Sequence, residues 1–253
     1  TFSRLPDRHR EVLEKRLIGV YCVENFIGTG MADYVLGPDN EVYAQLVLHP
    51  RVFEMNASQI LSLRANTAFR SDDEEMELVI DLSNEVSGLD YIVLHESTHI
   101  VDYVERHTPY VEPGMYELFG RSGRNTSFTD EVWSDYRTLN PTVEFEFQED
   151  LRYYGLGGDP GLSNRDLKAV YSALAQTPFA SLYASFSWAE DFAEFVTFYY
   201  LVYGFGAHYE IRVMRDGESL FTYQPMDSLI VAVRAGLIEP DLLRSELPQK
   251  NIE

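Results

Sequence analysis

The sequence predicts an α+β fold in which a small mixed sheet near the N-terminus packs over one central helix, and a mostly helical C-terminal part follows. Strand patterns are concentrated in the first third of the chain. A helical pattern spans Gly88 to His107, and a second, largely apolar one spans Ser187 to Tyr203. The 253 residues, 45% of them hydrophobic, suffice for one sizeable core. We therefore expect a single domain over 1–253 with an irregular insertion at about 108–180.

The N-terminal region is predicted to start with a helix and to continue into a hairpin. Apolar residues at helical spacing predict a helix from Pro6 to Phe26. Strand patterns cover Met31–Leu36 and Glu41–Leu48, and the turn residues 37–40 between them predict a hairpin. A further strand is predicted over Met76–Leu82.

Weaker patterns predict the remaining elements. Asn56 or Ser58 is suited to cap a helix that ends near Phe69. Further along the chain we predict helices over Val132–Thr138 and Asn164–Gln176, a hairpin formed by Tyr209–Met214 and Ser219–Tyr223, and one or two helices within Met226–Leu247.

The charge balance excludes one class of partner. The chain carries 41 Asp and Glu against 20 Lys and Arg, a formal net charge of −21. Nucleic acid binding requires clustered basic residues, so we expect no nucleic acid partner. No apolar run reaches the roughly 18 residues that cross a bilayer, so no membrane span is predicted. The longest run, Phe195–Tyr203, is predicted to be a buried helix.

The single cysteine and the first residue bear on the compartment. Cys22 allows no internal disulfide, and its apolar neighbours predict a buried thiol. The chain begins at Thr1 without a signal-peptide pattern, which is typical of a processed form. We therefore expect a secreted, periplasmic or cell-surface protein, and its oligomeric state stays open.

The segment His95-Glu96-Ser97-Thr98-His99 carries the strongest functional signal. Two histidines four positions apart on a helix face the same direction, so both imidazoles can bind one metal ion. Glu96 can reach a water held by that metal and act as general base. The histidines lie on a polar stripe opposite Val93 and Ile100, an arrangement that also fits a solvated helix surface.

A third ligand is needed, because catalytic zinc sites usually have three protein ligands and one open position. A continuation of the motif would require glycine and histidine three and six positions after His99. Asp102 and Glu105 occupy these positions, so that arrangement is excluded. His107 lies further along the same helix and could not close the site without a sharp break.

Carboxylates on the helix from Trp188 onward can provide the missing ligand. This helix is apolar almost all round, and buried carboxylates are costly unless they are paired or bound to metal. We assign Glu190 as the third ligand and Glu194, one turn later, as the acceptor of a histidine N–H. Asp102 could accept the same kind of bond. The alternative is an acidic cluster favoured by the helix dipole.

These residues resemble the gluzincin group of zinc metallopeptidases, in which a glutamate from a downstream helix completes the metal site. The segment Tyr183–Glu194 is similar to that of the anthrax lethal factor type, where a tyrosine lies seven positions before the liganding glutamate and a second glutamate four positions after it. The resemblance covers about 25 residues. It implies a zincin-like fold and an oxyanion-stabilising role for Tyr183. Unlike thermolysin-like members, this chain has Glu four positions after Glu190, and 91 positions separate Glu190 from His99.

Together these features predict a zinc-dependent endopeptidase that binds one zinc ion and hydrolyses peptide or protein substrates. An extended substrate would add to a sheet edge, which Glu41–Leu48 or Met76–Leu82 could supply. Two alternatives stay open. One is a zinc-containing binding or regulatory protein with little or no proteolytic activity, and the other is a protein without metal in which the motif is coincidental.

Overall fold

The structure, a computed structural model, describes residues 1–83, 86–109 and 127–243. This part of the chain mixes helices and strands, which confirms the predicted α+β class. Its helices are α1 (Asp7–Arg16), α2 (Ala57–Asn66), α3 (Gly88–Glu105), α4 (Ser127–Asp130), α5 (Leu167–Leu174), α6 (Trp188–Tyr199), α7 (Leu229–Ala232) and α8 (Pro240–Leu243). Its strands are β1 (Leu17–Cys22), β2 (Gly30–Leu36), β3 (Val42–Leu48), β4 (Phe69–Arg70), β5 (Met76–Leu82), β6 (Trp133–Asp135), β7 (Thr138–Leu139), β8 (Leu162–Ser163), β9 (Tyr209–Arg215) and β10 (Glu218–Tyr223).

The N-terminal sheet is mixed, with strand order β1-β3-β2; β1 is parallel to β3, and β2 is antiparallel to it. The predicted β2–β3 hairpin is confirmed. The predicted helix over Pro6–Phe26 is wrong beyond Arg16, because the next six residues form β1. Gly19 and the β-branched residues of this segment disfavour a helix, and pairing with β3 decides its conformation. Cys22 is exposed on this edge strand rather than buried as expected.

The second sheet has the order β10-β9-β5 and is antiparallel throughout. The predicted β9–β10 hairpin is confirmed. Its turn residues Asp216 and Gly217 have φ values of 49° and 77°. Positive φ at both central residues is the requirement of a type I′ turn, which matches the twist of the flanking strands.

Helix α2 closes the outer edge of β5. Its cap is Asn56, one of the two residues predicted for this role. On β5, the backbone N–H of Leu82 donates to Ser58 Oγ at 2.8 Å and that of Ile80 to Ser62 Oγ at 3.0 Å. Side chains of α2 therefore satisfy the β5 donors that a neighbouring strand would otherwise use.

Helix α3 lies at the centre of the described fold. Ser87 caps it by accepting the N–H of Asp90, and it ends where Arg106 adopts a left-handed conformation with φ 64°. Every residue from Tyr91 to Asp102 is buried, since α1, α2, α6 and β2 all pack against this helix. The polar stripe that carries the histidines is therefore inside the protein rather than on a solvated surface.

Helix α6 is also largely buried, and it packs against α3. Ser187 caps it by accepting the N–H of Glu190. The regular α-helix ends at Tyr199, and a π-helical turn covers Tyr200–Gly204 where the sequence predicted a continuous helix to Tyr203.

The predicted insertion at 108–180 contains short regular elements. Residues 110–126 lie outside the described residues, as does the end of the last predicted helical region, 244–247. The helix predicted over Asn164–Gln176 starts as a 3-10 turn and continues as α5. None of the described helices combines the length and apolarity needed to cross a bilayer.

The helix predicted over Val132–Thr138 is wrong, because most of these residues belong to the β6–β7 hairpin. Trp133 is buried, and its indole N–H donates to the Asp191 carboxylate on α6 at 2.8 Å. This tertiary contact, which local sequence does not indicate, holds the segment in an extended conformation.

Candidate metal centre

The candidate site lies where α3 meets the first turn of α6. His95 and His99, one helical turn apart on α3, both direct Nε2 toward Glu190. The Oε2 atom of Glu190 lies 3.3 Å from Nε2 of His95 and 3.4 Å from Nε2 of His99. One potential ligand atom from each of the three side chains lies within 4.8 Å of the other two. The structure thus brings together the three residues predicted as ligands.

Two of the three distances between ligand atoms match those of a tetrahedral zinc site. Zinc bonds to imidazole nitrogen or carboxylate oxygen measure about 2.0–2.2 Å, so neighbouring ligand atoms of a tetrahedron lie about 3.3–3.6 Å apart. In addition, Oε2 of Glu190 is buried, and although it faces both imidazoles it has no well-aligned hydrogen bond among the described residues. Burying a carboxylate oxygen without a good hydrogen bond lowers the stability of the folded protein. A cation shared with the two imidazoles would satisfy it.

The carboxylates around the centre stabilise positive charge on His95. Burial lowers the pKa of His95, but its contacts with the Glu190 and Glu194 carboxylates outweigh burial and raise the pKa to about 10. Burial raises the pKa of Glu190, but the nearby His99 and His95 rings outweigh burial and bring that pKa below its ordinary value. Because metal binding needs neutral imidazoles, a cation has to displace the proton that these carboxylates favour on His95.

Glu194 is the centre of a buried network behind His95. Its Oε1 atom lies 2.9 Å from Nδ1 of His95, close enough for a hydrogen bond although the ring N–H is not aligned with it. Oε1 also accepts the Tyr91 hydroxyl at 2.8 Å, and Oε2 accepts Arg64 and the Ser181 hydroxyl, each at 2.6 Å. Burial raises the pKa of Glu194, but the Arg64 charge and the other contacts lower it to about 2. Glu194 is therefore an anion that can hold the ring of His95.

Glu96 faces strand β2. Its Oε2 atom accepts the backbone N–H of Ala32 at 2.7 Å, and burial raises the pKa of its carboxyl. The strand crosses the helix closely at Gly30, where an added Cβ would lie 2.4 Å from Cγ2 of Ile92 and 3.0 Å from Oε1 of Glu96. The predicted general base is therefore positioned by the backbone of β2.

Tyr183 lies on a 3-10 turn directly before α6. Its hydroxyl donates to Oε1 of Glu190 at 3.2 Å, and the Arg64 guanidinium lies 4.1 Å from the centre of its ring. Burial and the Glu190 charge raise the pKa of Tyr183 well above its ordinary value. The phenol therefore keeps its proton and can donate a hydrogen bond at the centre.

Asp102 does not take the place we expected for it. Its Oδ1 accepts the Thr108 backbone N–H at 2.7 Å, and its Oδ2 accepts the Thr108 hydroxyl at 2.8 Å. These bonds tie down the chain just after α3, and no hydrogen bond joins Asp102 to either histidine among the described residues. His107, excluded as a ligand, instead contacts Glu105 at 3.0 Å.

Sequence reasoning missed Arg64, Tyr91, Ser181 and the N–H of Ala32. Arg64 had a signal, since it lies on the face of α2 that also carries Ile60 and is buried with it. A charged residue on a buried face requires a partner. The contacts of the other three depend on the tertiary fold and leave no pattern in the sequence.

The whole chain was also compared with protein-family models, with curated proteins and with solved structures, and none of them matches it.

Proposed function

We propose that this chain is a zinc-dependent metalloendopeptidase of the gluzincin type with a zincin-like fold. The observation that carries the proposal is the convergence of His95, His99 and Glu190, with the general-base candidate Glu96 between the two histidines on the same helix. Two imidazoles and one carboxylate are a donor set found in catalytic zinc sites, where a fourth position remains for water or substrate.

Each further residue has a role that its position supports. A bound zinc ion would lower the pKa of a water molecule and polarise the substrate carbonyl. Glu96 accepts the proton of the attacking water and later transfers it to the leaving amide nitrogen. The Tyr183 hydroxyl donates a hydrogen bond to the oxyanion that develops on the substrate. Glu194 holds His95, and so stabilises its orientation as a ligand.

Strand β2 is the best candidate edge for an extended substrate. Of the two edges expected from the sequence, β3 is wrong, because it lies between β1 and β2. The outer edge of β5 is occupied by α2. By contrast, β2 is an edge strand of its sheet, and the N–H of Ala32 points away from β3 toward the site. A peptide paired with β2 would run beside Glu96.

One observation favours a second candidate, a zinc-binding or regulatory protein with little proteolysis. Both groups assigned to catalysis have partners within the protein: Glu96 accepts the N–H of Ala32, and Tyr183 donates to Glu190. In an inactive centre, these two side chains would be hydrogen-bonded to the protein in the same way. Zinc in stoichiometric amount without cleavage of any peptide would favour this candidate.

The test of the proposed reaction is Glu96→Gln, compared with Glu218→Gln at an exposed position of β10 as the control. Zinc content is measured by elemental analysis and cleavage with a peptide library. We expect Glu96→Gln to bind zinc normally and to lose about 10²–10⁴-fold in turnover, because an amide cannot accept the proton. Near-normal turnover of this variant would exclude Glu96 as the base.

A further inference from the structure

We propose that Arg64 is a positioning residue of the metal centre, which holds Glu194 behind His95 and fixes the ring of Tyr183 beside Glu190. This inference rests on the proposed function for the role of Tyr183. Its claim about metal affinity stands on the site geometry alone.

The contact between Arg64 and Glu194 joins distant parts of the chain inside the protein. Arg64 lies on α2, is only 6% exposed, and donates from Nη2 to Oε2 of Glu194 at 2.6 Å. Glu194 is fully buried on α6, where an unpaired carboxylate would be unfavourable. The guanidinium thus keeps in place the carboxylate whose other oxygen faces Nδ1 of His95.

The same guanidinium also packs on aromatic rings of the site. It lies 4.1 Å from the ring centre of Tyr183 and 5.7 Å from that of Tyr91. A planar cation over an aromatic face restricts where the ring can lie. The Tyr183 hydroxyl is therefore held at the distance from which it reaches Glu190. One side chain of α2 in this way links a ligand-orienting carboxylate to the predicted oxyanion donor.

These two contacts require arginine rather than any cation. Lysine supplies a point charge on a flexible stem that can pair with Glu194, but it has no planar face to pack on Tyr183 and no rigid group that would fix the single hydrogen bond to Oε2 of Glu194. Arg64→Lys should therefore keep the charge of the network while it loosens both Glu194 and Tyr183. This makes the lysine variant a sharper test than one that removes the charge.

A matched control is available in Arg234. It is 3% exposed, binds Asp191 on α6 through two hydrogen bonds of 2.6 and 2.7 Å, and lies 3.8 Å from the ring centre of Phe128. Arg234→Lys therefore also replaces a buried guanidinium that pairs with a carboxylate of α6, but that carboxylate has no hydrogen bond to His95, His99 or Glu190 among the described contacts. A general disturbance of α6 would affect both variants alike.

The experiment measures the zinc dissociation constant by competition with a chromophoric chelator, melting of the zinc-free protein, and kcat and KM separately. We expect Arg64→Lys to weaken zinc binding about 10–100-fold, as for other residues that orient a ligand, and to lower kcat with little change in KM. We expect Arg234→Lys to lower the melting temperature while zinc affinity stays near that of the wild type.

Wild-type zinc affinity in folded Arg64→Lys would overturn the proposal, as would an equal loss in Arg234→Lys. If Arg64→Lys does not fold, the double variant Arg64→Met with Glu194→Met removes both charges. It must bind zinc more weakly than the wild type for the proposal to stand. A wild-type chain that binds zinc but cleaves no peptide would contradict the proposed function, while the affinity comparison would still decide the role of Arg64. A wild-type chain that binds no zinc would refute both.

Discussion

Binding of zinc should raise the melting temperature of this protein, and Glu190→Ala should abolish most of that increase. A ligand that binds only the folded state stabilises it by about 2.7 kcal/mol when its free concentration is 100 times its dissociation constant. The entropy of unfolding is about 2.1 cal/mol/K per residue, which gives roughly 0.5 kcal/mol/K for a chain of 253 residues. The expected increase is therefore about 5 °C.

Glu190 supplies one of the three converging ligand atoms, and its Oε2 lies within 3.4 Å of both imidazole Nε2 atoms. Its loss should weaken zinc binding at least about 100-fold, since even residues that only orient a ligand account for 10–100-fold. At the same zinc concentration, the increase in melting temperature caused by zinc should then fall below about 1 °C. The matched control is Glu218→Ala, at an exposed position of β10, which should keep the full effect.

Differential scanning calorimetry with and without zinc, and again after addition of a chelator, measures these shifts. If Glu190→Ala retained the wild-type increase, zinc would be bound elsewhere and the assignment of Glu190 as a ligand would be incorrect. This comparison requires no substrate, so it tests the metal centre independently of any reaction.

Two other changes test the oxyanion donor and the core. Tyr183→Phe should lower kcat by about 10²–10³-fold, because it removes one hydrogen bond to the developing charge; steady-state kinetics with unaltered kcat would contradict this role. His9 is fully buried on α1 with Nε2 2.9 Å from Oγ1 of Thr98, and burial lowers its pKa from 6.5 to about 3. The folded state thus keeps His9 neutral while the unfolded chain takes up a proton below pH 6.5, so stability is lost as pH falls from 6.5 toward 3. Between pH 6.5 and 5 the loss from this residue should be about 2 kcal/mol. Urea unfolding of the zinc-free protein should show a weaker pH dependence for His9→Gln, and identical dependence in both proteins would disprove the argument.

The sequence could predict the parts of the site that depend on local residue spacing or on the unfavourable burial of an unpaired charge. The spacing of His95 and His99 fixes a shared direction on any helix. Glu190 could be inferred because a carboxylate on an apolar helix needs a partner. Tyr183 was different, since only the resemblance pointed to it among 17 tyrosines.

The remaining features depend on contacts between segments that are distant in the chain. The conformation of Leu17–Cys22 is set by pairing with β3, so its helical spacing was misleading. The hydrogen bond from Ala32 to Glu96 involves a backbone donor, which every residue except proline carries and which therefore leaves no trace in the sequence. Asp102 had the right position on the helix for a histidine contact, but its carboxylate instead accepts hydrogen bonds from Thr108.

Strand β2 crosses helix α3 closely at Gly30, and this crossing couples Gly30 to Glu96, 66 residues later in the chain. Any side chain at position 30 would collide with Ile92 and push against the Glu96 carboxylate. Substitution there would move the proposed proton acceptor while the three predicted metal ligands stay intact. Gly30→Ala would thus disturb the proposed general base by steric means alone, from a position outside the helix that carries it.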